Sequence, residues 1–216
     1  MSLTVSEALA FRRSTKHFDP TVAMTEADLH DLVATACLAP SSYNLQHWHI
    51  VAVRSETGKN ALRDAAFGQP SVADASCMLV LAADPHAWQL AATRWHQLEE
   101  AKRERIVANI DALYAQDAQL CRDEAVRSAS LFGMALMLVA AERGWQSCPY
   151  IGFEPDKVRT VAGLPEGMLV VLLIGLGREH LPPPPRPPRR DVGAVLHLER
   201  WQEAPVQPSG PVDGDA

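Results

Sequence analysis

Apolar side chains recur with helical spacing at Leu3, Val5, Leu9 and Ala10, and "MTEADLHDLVATACLA" repeats that rhythm behind Thr25, a hydroxyl suited to cap an acidic first turn. The period then changes. "HWHIVAV" (47–53) alternates and ends in a β-branched run, "ASCMLVLAA" (75–83) is apolar throughout, and "MLVVLLIGLG" (168–177) is apolar on both faces. Each predicts a strand, the last one central in its sheet. Residues 86–119 are polar and charged with helical periodicity, and residues 122–143 predict a long helix whose middle, "SLFGMALMLVA", is apolar nearly all round. A helix without a polar face has to be buried, in the core or against a second subunit. "LPPPPRPPRR" (181–190) predicts an extended arm, because proline fixes φ and lacks a donor, and it carries "DVGAVLHLERW" to a distant place. From Gln202 onward the composition is that of a frayed terminus. This order predicts an α+β or mixed α/β architecture, one domain over residues 1–201 and a disordered tail over 202–216.

Charge narrows the partners. With 20 basic against 26 acidic residues the net charge is −6, so the chain lacks the broad positive field that nucleic acids or a membrane surface require. The four cysteines, Cys37, Cys77, Cys121 and Cys148, stand singly, without the C-x-x-C spacing of a zinc or redox site. Reduced thiols in a cytoplasmic chain are the expectation. The N-terminus carries Glu7 inside its apolar stretch and places its bases after it, the reverse of a secretory signal. The apolar runs fall short of the roughly 18 residues that span a bilayer.

Four basic side chains, Arg12, Arg13, Lys16 and His17, crowd into "RRSTKHFDP". With Ser14 they offer what a phosphate needs: a bidentate fork, a short hydroxyl donor and a mobile point charge. The stretch alone also fits a solvated loop between helices. In "APSSYNLQHWHIV", Pro40 ends a helix and Ser41, Ser42, Asn44 and Gln46 line the mouth of a strand beside Tyr43 and Trp48. Such a rim suits a planar heteroaromatic ligand, and it equally suits ordinary turn chemistry. His47 and His49 alternate onto one face with no third ligand at a telling spacing, so no metal is expected. "GLGREH" looks like a dinucleotide fingerprint but lacks the third glycine and the βαβ setting, and reads as a turn. Ser128 and Ser130 sit in a helix without a G-x-S-x-G elbow.

Taken together, "FRRSTKHFDP", "APSSYNLQHWHIVAV", "AAFGQPSVADASCMLVLAA", "AERGWQSCPYIGFEPDKV" and "GLPEGMLVVLLIGLG" resemble the nitroreductase family in order and spacing, over nearly all of residues 3–201. The resemblance implies an α+β nitroreductase-like fold, a mixed β-sheet wrapped by helices, in an intertwined homodimer with FMN in two interface clefts. It implies that Arg12, Arg13, Ser14 and Lys16 reach the FMN phosphate, ribityl chain and pyrimidine edge. Pro40, Ser41, Ser42 and Asn44 would reach across the dimer to the other flavin. Gln69 would read the pyrimidine edge, Ser128 would touch the flavin from the central helix, and Pro149, Tyr150, Ile151 and Gly152 would present backbone amides to N5 and O4. Arg189 would return to the phosphate from the arm, although Pro187 stands where relatives often have a base. The activity implied is ping-pong hydride transfer from NAD(P)H through flavin N5 to nitroaromatic, quinone or similar electron-poor acceptors, with residues 84–124 as a lid that includes Trp88, Trp95 and Tyr114, and with Phe132 nearby. No protein acid, nucleophile or metal is needed for that chemistry. A flavin-dependent dehydrogenase or enal reductase on the same scaffold, and a flavin-binding protein without turnover, are the alternatives.

Overall fold

The computed structural model of the chain describes residues 3–203, so the expected frayed terminus falls almost wholly outside the described residues. The residues group into a body, Met1–Pro183, and an arm that begins at Pro184.

In chain order the body runs α1 (Val5–Phe11), α2 (Glu26–Ala36), β1 (Trp48–Val53), α3 (Glu56–Ala65), α4 (Pro70–Asp74), β2 (Cys77–Ala83), α5 (Ala91–Arg94), α6 (Glu100–Tyr114), α7 (Ala118–Glu142), β3 (Gln146–Tyr150), α8 (Pro155–Ala162) and β4 (Leu169–Gly177). Local chemistry sets the helix ends. Thr4 and Glu7 close a capping box on α1, and Thr25 and Asp28 close one on α2, each hydroxyl accepting from the third backbone amide while the carboxylate accepts from the cap amide. Gly163 ends α8 at φ 60°, where a side chain would be strained.

The four strands lie in the order β1-β2-β4-β3, and every ladder is antiparallel. Among the described residues the sheet is therefore antiparallel and not the mixed one expected from the resemblance; Ser14 makes an isolated parallel bridge to Ser147 of β3. β3 escaped the sequence reading because Pro149 interrupts it, and the structure places it at the sheet's edge, where a missing amide is tolerated. β4 is central, as its apolar faces require. β2 is buried at all seven positions because helices cover both faces of the sheet. Cys77, Leu79 and Leu81 pack with α2 and α7, while Met78 and Val80 pack with α3, α4 and α8.

The long helix α7 buries Phe132, Gly133, Leu136, Met137 and Ala140. Phe132 stacks on Trp48 at 5.2 Å between ring centroids, so it belongs to the main core and not to the 84–124 region. Gly133 lets the helix approach the sheet: a methyl there would stand 3.0 Å from Leu81 Cδ2. Among the described residues α7 is long and apolar enough to cross a membrane, yet half of its apolar stretch is buried inside the protein. A third cluster joins Leu45, Ala91, Ile110, Tyr114 and Cys121 to Trp88 and Trp95, and forms the core of the 84–124 region.

The arm, taken by itself, has no regular structure through its prolines and makes a 3-10 turn at Val192–Ala194, where the Asp191 carboxylate accepts from the Gly193 amide at 2.8 Å.

Candidate flavin site

The basic stretch is a third rail along the sheet's edge. After α1 the chain straightens, Ser14 pairs with Ser147 of β3, and the Thr15 amide donates to the Ser147 carbonyl at 3.1 Å. Phe18 then pairs with Glu179, and the His180 amide donates to the His17 carbonyl. A solvated loop would have neither set of bonds, so the sequence question is answered: these bases sit on fixed backbone. The anchor is Phe18, whose ring lies over Gly175 and Gly177 of β4. "GLGREH" is thus neither a fingerprint nor a turn at its glycines; it is the end of a strand kept bare so that an aromatic ring can lie flat on it.

Three segments predicted from sequence meet beside this rail. Lys16 Nζ stands 4.6 Å from the centroid of the Tyr150 ring, a cation–π contact at the end of β3. Tyr150 is held from beneath, its hydroxyl donating to Ser71 Oγ at 2.9 Å in α4, and burial pushes its ionisation far above the ordinary tyrosine range. It is a neutral platform at any working pH. Gln69, at the N-terminus of α4, donates through Nε2 to the carbonyls of Ala66 (3.2 Å) and Gly152 (3.4 Å), which ties α4 to the 150–152 turn. Past Tyr150 the chain turns outward: Ile151 is 82% exposed and Phe67, at φ 56°, is also exposed. The result is a basic rail beside an apolar ledge, with Lys16, Gln69 and Tyr150–Gly152 brought together.

Other predicted residues lie elsewhere. Ser41 and Ser42 serve their own loop: the Gln46 amide donates to Ser41 Oγ (3.0 Å), and Ser42 Oγ shares a 2.7 Å hydrogen bond with the Tyr114 hydroxyl. Pro40 lies where this loop leaves α2, and the loop holds Tyr43, Asn44 and Gln46 at φ 48°, 54° and 52°. Three left-handed non-glycine residues in four positions store strain of the kind found at ligand-binding loops. Ser128 is fully buried and donates to Glu124 Oε1 at 2.8 Å, so its hydroxyl proton is spent inside α7. Arg189 lies in the arm, exposed, with Nη1 donating to the Pro187 carbonyl at 3.4 Å. His47 is buried and His49 exposed, so the two do not share a face.

Two cavities flank these elements. A groove of about 700 Å³ between α2 and β1 is mostly apolar, with Leu29, Val33, Ile50 and Leu79 in its walls. A polar one of about 630 Å³ opens between the strained loop and α5. Sequence reading missed Phe18 and Gly177 as the parts that hold the rail, and it missed Arg94 in the second cavity. An aromatic just after a basic run and bare glycines at the end of an apolar strand were the available signals for the first pair; nothing in the sequence marked Arg94.

Residues 9–178 match the model of the Nitroreductase family. The chain belongs to the nitroreductase family. As a nitroreductase-family chain it is 35% identical over 175 residues to a Bacillus subtilis protein that carries the name NAD(P)H nitroreductase MhqN, covering 78% of this chain and 85% of that one. Among solved structures, a Bacillus subtilis protein described as a nitroreductase, ydfN, superposes with a TM-score of 0.86 at 32% identity, over 89% of this nitroreductase-family chain and 97% of its own. A structure from Exiguobacterium sibiricum, described as a nitroreductase in complex with FMN, superposes with a TM-score of 0.79 at 27% identity, over 87% and 95%.

Proposed function

We propose that this FMN-dependent oxidoreductase takes hydride from NAD(P)H and delivers it to nitroaromatic, quinone or similar electron-poor acceptors, in a cytoplasmic homodimer. Family membership supports the enzyme class, and the observation that carries the reading in this chain is the convergence of Lys16, Gln69 and Tyr150–Gly152 on one ledge. FMN, when bound, supplies the redox chemistry, accepting and giving hydride at N5.

The chain's own residues do the rest. Arg12, Arg13 and Ser14 hold the phosphate through charge-assisted hydrogen bonds. Lys16 places positive charge beside the ring edge that becomes negative on reduction. Tyr150 keeps that cation in place over its ring, and the turn at Ile151–Gly152 supplies backbone donors that are indifferent to side-chain identity. Pro40, Ser41, Ser42 and Asn44 belong to the flavin of the second subunit, which accounts for their being held by Tyr114 and by one another in their own chain. Val5, Leu9 and Phe11 of α1 and Leu131 of α7 leave an apolar face 44–70% exposed, which a second copy would cover. The 84–124 region, built on its own small core, is the cover over the acceptor.

The test is spectroscopic. Purified protein should be yellow, absorbing near roughly 450 nm, and should bleach on anaerobic addition of NADH or NADPH and recover colour with a nitroarene or quinone. Colour that persists with both nicotinamides would leave only flavin storage; recovery with enals or enones alone would move the activity to that class. Colourless protein that takes up no FMN would overturn the assignment.

A further inference from the structure

The cavity of about 630 Å³ has a mixed lining in which Arg94 is the cation. Asn44 and Gln46 come from the strained loop, and Arg94, His96 and Gln97 from α5 and the residues after it, with Leu90 as the apolar wall; no carboxylate lines it. Arg94 makes no ion pair among the described residues, and its Nε is buried without a hydrogen-bond partner. Glu124 accepts from Ser128 and Arg127, and one oxygen of Asp84 accepts from the His86 amide at 2.8 Å. Arg94 Nε has lost water without gaining a partner, while the side chain as a whole stays partly exposed.

Its neighbours offer both donors and acceptors. Gln46 Nε2 donates to the Asn44 carbonyl at 3.4 Å and to Asn44 Oδ1 at 3.1 Å, which spends both Gln46 amide hydrogens and leaves the Asn44 NH2 group to give. His96 Nδ1 lies 2.7 Å from the Thr93 carbonyl; a carbonyl only accepts, so that nitrogen carries hydrogen, and Nε2 of the neutral ring is an acceptor. Gln97 adds another amide. A planar fork with the Asn44 and Gln97 amides in the same lining matches a carboxylate or phosphate oxygen pair better than any neutral group.

We propose that this cavity reads an anionic group, carboxylate or phosphate, on the molecules that exchange hydride at the flavin, with Arg94 as its specificity-determining residue. This deepens the function proposed above and rests on it, because Asn44 belongs both to the flavin-facing loop and to the cavity wall.

The test compares FMN-loaded wild-type protein with Arg94→Gln and Arg94→Lys. Acceptors are 4-nitrobenzoate and its neutral methyl ester, with one hydride donor; donors are NADPH and the uncharged 1-benzyl-1,4-dihydronicotinamide, with the ester as acceptor. Arg94→Gln should lower kcat/KM for the anionic member of one pair by roughly tenfold or more, through KM, and leave the neutral member unchanged; Arg94→Lys should recover part of the loss. An effect confined to the acceptor pair assigns the cavity to a carboxylated acceptor, and one confined to the donor pair assigns it to a dinucleotide phosphate. Equal changes for charged and neutral members, or no change in either pair in protein that holds FMN and turns over, would overturn the subsite alone. Wild-type protein without FMN or turnover would remove the flavin reading and the subsite with it.

Discussion

Replacing Gly177 by alanine puts a methyl group where the Phe18 ring already lies. The added carbon would stand 2.7 Å from Phe18 Cδ1 and 3.3 Å from the Ser76 backbone nitrogen, so one neighbour is a ring and the other is main chain that cannot step aside. Carbon atoms rest at roughly 3.5–4.0 Å, and the ring has to tilt by most of an ångström. Overpacking of this kind costs about 1–3 kcal/mol. A domain stable by about 5–15 kcal/mol survives that, so the variant folds and can be measured. Phe18→Ala alone should cost about 3–5 kcal/mol, yet it removes the ring atoms the methyl strikes, Cγ and Cδ1. The two changes compete for one space, so the double variant should cost about 0.5–2 kcal/mol less than the sum of the singles. Urea denaturation at unchanged slope reads the cycle. FMN retention should follow the same order, falling in Gly177→Ala and partly returning in the double variant, because Lys16 is two residues from the ring being moved. Strict additivity, or a Gly177→Ala protein with full stability and full FMN binding, would refute the idea that Phe18 fills the place of the glycine's missing side chain.

Arg12→Ala should weaken FMN binding by roughly tenfold or more, since a charge-assisted phosphate contact is worth about 1.5–3 kcal/mol; unchanged affinity by equilibrium dialysis would move the phosphate elsewhere. His47 is buried with Nδ1 unpartnered, and burial holds its pKa below the usual 6.5 against the opposing pull of Glu124 and Asp84. The unfolded chain then binds a proton that the native one refuses, so stability should fall as pH drops below 6.5, by at most about 1.4 kcal/mol per unit, and His47→Gln should flatten that slope in urea titrations between pH 7.5 and 5.5. Tyr114→Phe should cost about 1–3 kcal/mol by orphaning the Ser42 hydroxyl, and adding Ser42→Ala should recover part of it, as a thermal double-mutant cycle will report. Burial pushes the Cys77 thiol up to about 12 and raises Cys121 as well, whereas Cys37 is exposed, so a thiol reagent at pH 8 should find one fast cysteine in native protein and four after denaturation.

What could be read from the sequence was what repeats. The cap at Thr25, the apolar β2 and β4, and the all-round apolar α7 each carry their signal within a few residues. β3 did not, because five residues with a proline at the fourth look like a loop until β4 is beside them. The site divides in the same way. Lys16, Gln69 and the 149–152 turn could be named because each belongs to a motif, and the structure brings them together. Ser128 could be named too, but its hydroxyl turns along its own helix to Glu124, a choice that depends on one rotamer. Arg94 could not be found at all: it is an arginine in a charged helical stretch, and only the cavity next to it distinguishes it from its neighbours.

The left-handed backbone of Tyr43, Asn44 and Gln46 bears on how quickly and how tightly this protein can bind. Fixing a residue's backbone costs about 1–2 kcal/mol, so a floppy Ser41–Gln46 loop would charge each arriving ligand on the order of 6–12 kcal/mol to set its six residues in place. Here the Ser42–Tyr114 and Gln46–Ser41 hydrogen bonds and buried Leu45 have met that cost once, during folding. Each encounter then meets a surface already in its final shape, and the residence time of a bound molecule is decided by its contacts and not by the reordering of the wall it leaves.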